Sequence, residues 1–232
     1  GGALVDVIVQ NESTRRKKML IADMDSTMID QECIDELADV AGLKDHVAAI
    51  TAKAMNGEIP FEEALRERVA LLIGLPETVV ADVIRDRITL AAGGRELVKT
   101  MQRNGAHAAL VSGGFTCFTG PIAAMLGFDE NQANLLEADS GAFTGTVREP
   151  ILGRQAKADA LMSISARLGI GTADAMAVGD GANDLSMLEL AGCGVALHAK
   201  PSVAAQAKHR IEHGDLTALL YMQGYRRADF AT

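Results

Sequence analysis

Four short apolar runs, MLIA (19–22), HAALV (107–111), AMAV (175–178) and CGVAL (193–197), constrain this chain more than any other feature. None alternates apolar with polar residues, so each would be buried on both faces of a sheet. Helix-like stretches lie between them, for example GRELVKTMQRNG (94–105) ahead of the second run. Such strands interleaved with helices predict an α/β fold, a parallel sheet with helices on both faces. Ligands of these sheets bind outside the carboxyl ends of the strands. Three of the runs end abruptly in polar or glycine-rich loops, DMDST (23–27), SGGFT (112–116) and GDGAND (179–184). All three loops are therefore expected at one edge.

Between the first and second runs lie about 80 residues with helical periodicity, far more than a crossover between parallel strands needs. The excess predicts a helical cap inserted over residues 33–90, which leaves 1–32 and 91–232 to form the core. LLEADSGAFTGTVRE (135–149) alternates and carries Asp-Ser-Gly, the pattern of a β-hairpin flap. At the start, ALVDVIVQ (3–10) reads as a further strand and NESTRRKK (11–18) as the polar turn after it.

With 232 residues, 48% of them hydrophobic, the chain can bury a full core and a sizeable insertion. Its net charge is −9 and RRKK (15–18) is its one basic tract. That balance argues against nucleic-acid and anionic-membrane partners, and RRKK reads as a solvated turn. No apolar run approaches the ~18 residues of a membrane span and no charged-then-apolar leader opens the chain, so a cytoplasmic protein is expected. Cys33, Cys117 and Cys193 are scattered in apolar surroundings without metal-ligand spacing, and read as reduced core residues.

Three charged residues stand in unexpected places. In IPFEEALRERVALLIGL (59–75), Phe61, Leu65, Arg68 and Leu72 form one helical stripe, while Arg66 and Glu67 point away. Arg68 is either a snorkelling side chain or a guanidinium turned inward to meet an anion, for which its planar fork is suited. In GRQAKADALMSISARLG (153–169), Lys157 shares a face with Leu161, Ile164 and Leu168. It also lies in the first turn, where the helix macrodipole disfavours a cation, so a phosphate explains it better than solvent does. Glu32 would occupy the first turn of a helix capped by Asp30, where the dipole alone accounts for it. Its closeness to DMDST also makes it a candidate for meeting a cationic ligand group.

Asp23 and Asp25, two apart at the end of a buried strand, repel each other unless a cation or a reaction uses them. GDGAND adds Asp180 and Asp184 from another strand end. Carboxylates from two loops can hold a hard cation, and Mg2+ suits a site of few protein ligands completed by waters and a phosphate oxygen. Ser112, Gly113 and Gly114 offer a hydroxyl and backbone N–H groups, the equipment that cradles a phosphate.

Taken in order, DMDST (23–27), ECIDELA (32–38), AMNGEIPFEEALRERV (54–69), VSGGF (111–115), Lys157 and AVGDGANDLSM (177–187) resemble the haloacid dehalogenase superfamily of aspartyl-nucleophile phosphotransferases. The resemblance runs from the MLIA strand to near the C-terminus. It implies a Rossmann-like core with a cap that largely sets the substrate. It implies that Asp23 attacks phosphorus to give an aspartyl-phosphate, and that Asp25 protonates the leaving oxygen and then activates water. Mg2+ would be held by the Asp23 carboxylate, the Asp25 carbonyl and Asp180, with Asp184 in support. Ser112, the Gly113 amide and Lys157 would bind phosphate oxygens, and Asn183 would orient substrate. From the cap, Glu32 would meet a substrate ammonium and Arg68 its carboxylate, while Met55 and Phe61 close over both.

Ammonium, carboxylate and phosphate are together the charged groups of O-phospho-L-serine. The implied reaction is hydrolysis of that small molecule, the last step of serine biosynthesis, by a monomer or homodimer. Three rivals remain: transfer of the phosphoryl group to another alcohol, a response-regulator receiver, and a sugar-phosphate phosphatase. Chain length, the helical insertion and the second aspartate weigh against the receiver. A sugar phosphate would leave Glu32 and Arg68 without partners.

Overall fold

The structure, a computed structural model, describes residues 5–55 and 58–231, without the side chains of Ala54 and Met55. The four apolar runs are the middle of its main sheet. In chain order the strands are β1 (Met19–Ala22), β2 (His107–Phe115), β3 (Glu130–Asn134), β4 (Leu136–Asp139), β5 (Ala142–Val147), β6 (Ala175–Gly179), β7 (Cys193–Leu197) and β8 (His209–Ile211). Six of them form one sheet in the order β3-β2-β1-β6-β7-β8, and every pairing in it is parallel.

The order reverses direction at β1, which places the switch point of the sheet beside the DMDST loop. Ala22 stands level with Leu110 of β2 on one side and Val178 of β6 on the other. The loops after these three strands therefore emerge side by side, as the sequence implied.

The helices are α1 (Cys33–Val40), α2 (Lys44–Met55), α3 (Phe61–Ala70), α4 (Val79–Asp86), α5 (Gly94–Arg103), α6 (Thr116–Leu126), α7 (Arg154–Leu168), α8 (Leu185–Leu190), α9 (Pro201–Ala204) and α10 (Ala218–Met222). Successive strand residues point to opposite faces, so β1 supplies two cores. Leu20 and Ala22 join α5, α6 and α10 on one face, while Met19 and Ile21 join α7 and α8 on the other. None of these four side chains is accessible to solvent. No helix among the described residues is long and apolar enough to cross a membrane.

Helices α1 to α4 all lie between β1 and β2. The expected hairpin is β4–β5, and its turn residues Ser140 and Gly141 both have positive φ, 52° and 85°, as a primed two-residue turn requires. The hairpin is fastened to the segment after α3. Gly74 N–H donates to Phe143 O, Phe143 N–H to Leu75 O, and Glu77 N–H to Gly141 O, at 2.8, 3.0 and 3.0 Å.

The expected first strand is corrected. Of the strand expected over 3–10, residues 5–10 form none, and Val5, Val7 and Val9 stand open to solvent, while residues 3 and 4 lie outside the described residues. A β-branched apolar run becomes a strand only where a partner strand is there to bond it. Instead, Asp6 accepts the N–H groups of Glu212, His213 and Gly214, which ties this segment to the loop after β8. Asn11 then caps a short 3-10 turn at Glu12–Thr14. The edge strands β3 and β8 were not foreseen, because ENQAN is polar and HRI is three residues long.

Candidate active site

The chain leaves β1 at Asp23, whose N–H still donates to Val178 O of β6 at 3.0 Å. Its carboxylate is buried, with Oδ1 taking the Met24 N–H at 2.8 Å. Beyond it the backbone folds back sharply: Met28 and Ile29 N–H both donate to Met24 O, and Ser26 sits at φ 54°. This turn presents Asp25 across from the β2 loop. Asp25 Oδ1 accepts the Cys33 N–H at 2.9 Å, and Oδ2 accepts the Ser112 hydroxyl at 3.3 Å.

On the β2 side, the ladder to β3 loses register between Val111 and Phe115, so SGG bulges out of the sheet. Ser112 is buried and its Oγ also accepts the Gly114 N–H at 2.8 Å. Glycine at 114 is required by space, since a Cβ there would lie 2.7 Å from Asp25 Oδ2. The Phe61 ring of α3 lies over this loop, its Cζ 3.3 Å from where a Gly113 Cβ would stand.

On the β6 side, Gly179 is equally constrained, because a Cβ would sit 2.4 Å from Asp184 Cγ. Asp184 is fully buried and turns back on its own loop, with Oδ2 accepting the Gly181 N–H at 3.0 Å. Asp180 is half-buried and accepts the Thr27 hydroxyl at 3.2 Å. The Asn183 amide reaches toward the SGG loop, with Nδ2 3.8 Å from the same Gly113 Cβ position.

Lys157 joins the two acid loops from α7. Its buried Nζ lies 2.7 Å from Asp23 Oδ1 and 2.6 Å from Asp184 Oδ1. Burial opposes its charge, but those carboxylates outweigh burial and hold its pKa above the ordinary lysine value. Burial also pushes the Asp23 carboxyl well up, helped by the charge of Asp184 and opposed by Lys157. Burial raises Asp25 as well. Asp180 is pushed up to about 6 by burial and then by Asp184. Asp23, Asp180 and Asp184 bring carboxylate oxygens within 4.8 Å of one another, a hard-oxygen donor set that fits a divalent cation.

Glu32 and Arg68 belong to the helices above. Glu32 is itself the N-cap residue of α1, in place of the expected Asp30, yet its side chain makes no cap bond. It accepts the Ser26 hydroxyl at 2.7 Å instead. One side of the residue is open to solvent, but crowding desolvates the carboxyl, and together with the charge of Asp25 this pushes it up to about 7. Arg68 is half-buried on the stripe with Phe61, Leu65 and Leu72, while Arg66 and Glu67 are exposed. Its guanidinium donates to Ala64 O at 3.2 Å and Thr51 Oγ1 at 3.3 Å. Burial lowers its pKa, while Asp35, Glu32 and Asp25 act in the opposite sense. Met55 ends α2, and its side chain lies outside the described residues.

The structure also exposes roles that the sequence did not reveal. Thr27 steadies Asp180, Ser26 holds Glu32, and the Cys33 amide holds Asp25. Asp35 Oδ1 is buried without a hydrogen-bond partner among the described residues, and the charge of Arg68 acts on that carboxyl. Only the DxDST spacing could have flagged Thr27 and Ser26. Cys33 and Cys193 are buried free thiols and Cys117 is a half-buried one, and burial raises the pKa of all three.

The family model of the haloacid dehalogenase-like hydrolases matches residues 20–189. A phosphoserine phosphatase of Haemophilus influenzae is 44% identical over 202 residues, which cover 87% of this chain and 64% of that protein. A phosphoserine phosphatase of Polaromonas sp. is 44% identical, covering 94% of this chain and 95% of its own length. Among solved structures, a phospho-aspartyl intermediate analogue of phosphoserine phosphatase superposes with a TM-score of 0.82 at 41% identity, covering 89% of this chain and 98% of that one. The chain spans 55 to 64% of the length of several of the curated relatives it matches.

Proposed function

We propose that this chain, which belongs to the haloacid dehalogenase-like hydrolases, hydrolyses O-phospho-L-serine to L-serine and phosphate through an aspartyl-phosphate on Asp23. In this reading residues 33–90 are the cap that selects the substrate, and 1–32 with 91–232 are the catalytic core. The reaction is the last step of serine biosynthesis, in the cytoplasm. A monomer or a homodimer would carry it out, with neither nucleic acid nor membrane as partner.

Asp23 attacks phosphorus as the ester P–O bond breaks. Asp25 gives its proton to the departing serine oxygen, a task that a carboxyl with a raised pKa can perform. Asp25, now ionised, takes a proton from the water that attacks the aspartyl-phosphate, and Asp23 is released. Ser112, the Gly113 amide and Lys157 hold the phosphoryl oxygens as charge builds on them. Asn183 orients the phosphoryl group, and Phe61 with Met55 keeps bulk water out. Mg2+, held by the Asp23 carboxylate, the Asp25 carbonyl and Asp180 with Asp184 in support, would offset the repulsion between the anionic nucleophile and the anionic phosphate.

The observation that carries the reading is Arg68, a half-buried guanidinium whose hydrogen bonds go to a carbonyl and a hydroxyl, while the carboxylates of Asp35, Glu32 and Asp25 act on it only through their charge. A substrate carboxylate would give Arg68 a directly bonded anion, and Glu32 takes the ammonium. Arg68→Ala should therefore reduce kcat/KM for O-phospho-L-serine about 100-fold, near the loss expected when a buried charge partner is removed. p-Nitrophenyl phosphate, which has no carboxylate, should lose far less. Equal losses on both esters would make Arg68 structural and remove the support for this substrate.

A further inference from the structure

Asn134 ends β3 and is almost fully buried, although the ENQAN strand it closes is polar and half-exposed. Its amide makes three hydrogen bonds. Nδ2 donates to Gly113 O at 2.8 Å and to Leu152 O at 3.4 Å, while Oδ1 accepts the Leu152 N–H at 2.7 Å. Two carbonyls on one side and an N–H on the other leave the amide a single workable orientation.

Each bond touches a segment that carries phosphate-binding groups. The peptide joining Gly113 to Gly114 is held at both ends, its carbonyl by Asn134 and its N–H by Ser112 Oγ. Leu152 commits both of its backbone groups to Asn134, and it directly precedes Gly153, the N-cap residue of the helix that carries Lys157. Phe61 rests over Gly113 and Gly153 together, 3.3 and 3.8 Å from their Cβ positions. One side chain thus spans the SGG loop and the root of the lysine helix, beneath the ring that closes the site. An asparagine that merely ended an edge strand would bond the backbone of its own turn.

We propose that Asn134 is a positioning residue that sets the spacing between the Ser112–Gly114 loop and Lys157. The proposal rests on the phosphatase reading of the site, but it concerns only the phosphate end, which all phosphate monoesters share. Donors aimed at a transferring phosphoryl group tolerate little displacement, and a misplacement of about 1 Å can cost ~100-fold.

The test uses the full chain with Mg2+ and the variants Asn134→Ala and Asn134→Ser. kcat and KM are measured on O-phospho-L-serine and on p-nitrophenyl phosphate, per folded molecule as judged by thermal melts. Binding of orthovanadate, an inorganic mimic of phosphoryl transfer, is followed by calorimetry. The alanine variant should lose ~10- to 100-fold in kcat/KM on both esters by the same factor, mostly in kcat, with vanadate affinity falling in step. The serine variant, which keeps one donor, should lose less, and it carries the test if the alanine variant does not fold.

Lower melting points with wild-type kcat per folded molecule would overturn the proposal. A loss confined to phosphoserine would also overturn it, because that would place Asn134 at the cap end. If phosphoserine proves no better than p-nitrophenyl phosphate, the substrate reading fails while an equal-factor loss still supports Asn134. If neither ester turns over, weakened vanadate binding in the variants supports the proposal, and unchanged binding refutes it.

Discussion

Lys157 carries the heaviest electrostatic duty of any single residue here. Its Nζ stands between two buried carboxylates, at 2.7 and 2.6 Å, in a place where water cannot screen them. Lys157→Met keeps most of the volume and removes the charge, leaving Asp23 and Asp184 to face each other. Breaking a buried pair in this way costs roughly 3–5 kcal/mol. Urea unfolding in chelator should show a loss of that order, and Mg2+ should restore part of it while turnover stays depressed. An unchanged unfolding midpoint would mean that the pair is not held as described. Lys157 and Arg68 were legible in the sequence because each interrupts an apolar stripe. Asn134 was not, since a single amide at the end of a polar strand carries no periodic signal, and only the fold reveals what it reaches.

Among the elements, the tie between the hairpin and the segment after α3 has the most consequence. Three backbone hydrogen bonds link residues 74–77 to β5 and its turn, and Gly145 lets the two surfaces meet. Gly145 lies at φ 79°, and a Cβ there would be 3.1 Å from Ile73 Cβ and 3.2 Å from Ala70 O. Gly145→Ala should destabilise the protein by more than about 1 kcal/mol, through both the left-handed backbone and the crowding. A chemical-denaturation midpoint equal to wild type would show that this contact does not matter to stability. The four central strands were readable as unbroken apolar runs, three of them ending in polar or glycine-rich loops, and the hairpin by its alternation around Asp-Ser-Gly. β3 has no apolar run, and its place follows from the open edge of β2. Residues 5–10 show the converse case, a strand-like pattern with nothing to pair against.

For the molecule as a whole, the switch point gathers Asp23, Asp25, Glu32, Asp180 and Asp184 against Lys157 and Arg68. A carboxyl whose pKa is raised in the fold binds a proton more readily there than in the unfolded chain. Its favourable contribution is fully present below the unfolded value and is lost as pH rises to the raised one. Asp180 shifts from 3.8 to about 6 and Glu32 from 4.5 to about 7, so in chelator these groups should cost stability as pH climbs from ~4 to ~7. A divalent cation relieves the acid cluster and competes with its protons. The rise in Tm from Mg2+ should therefore be larger at pH 8 than at pH 5, and Asp180→Asn should flatten the difference. Equal rises at both pH values would argue against metal binding by these carboxylates.

The most direct measurement is phosphate release from O-phospho-L-serine, beside O-phosphothreonine, a sugar phosphate and p-nitrophenyl phosphate, each with Mg2+ and with chelator. The expected result is activity lost on chelation, with kcat/KM favouring phosphoserine about 100-fold, or roughly 2.7 kcal/mol of transition-state discrimination. Metal-dependent but equal activity across the four esters would contradict Glu32 and Arg68 as the groups that choose the substrate.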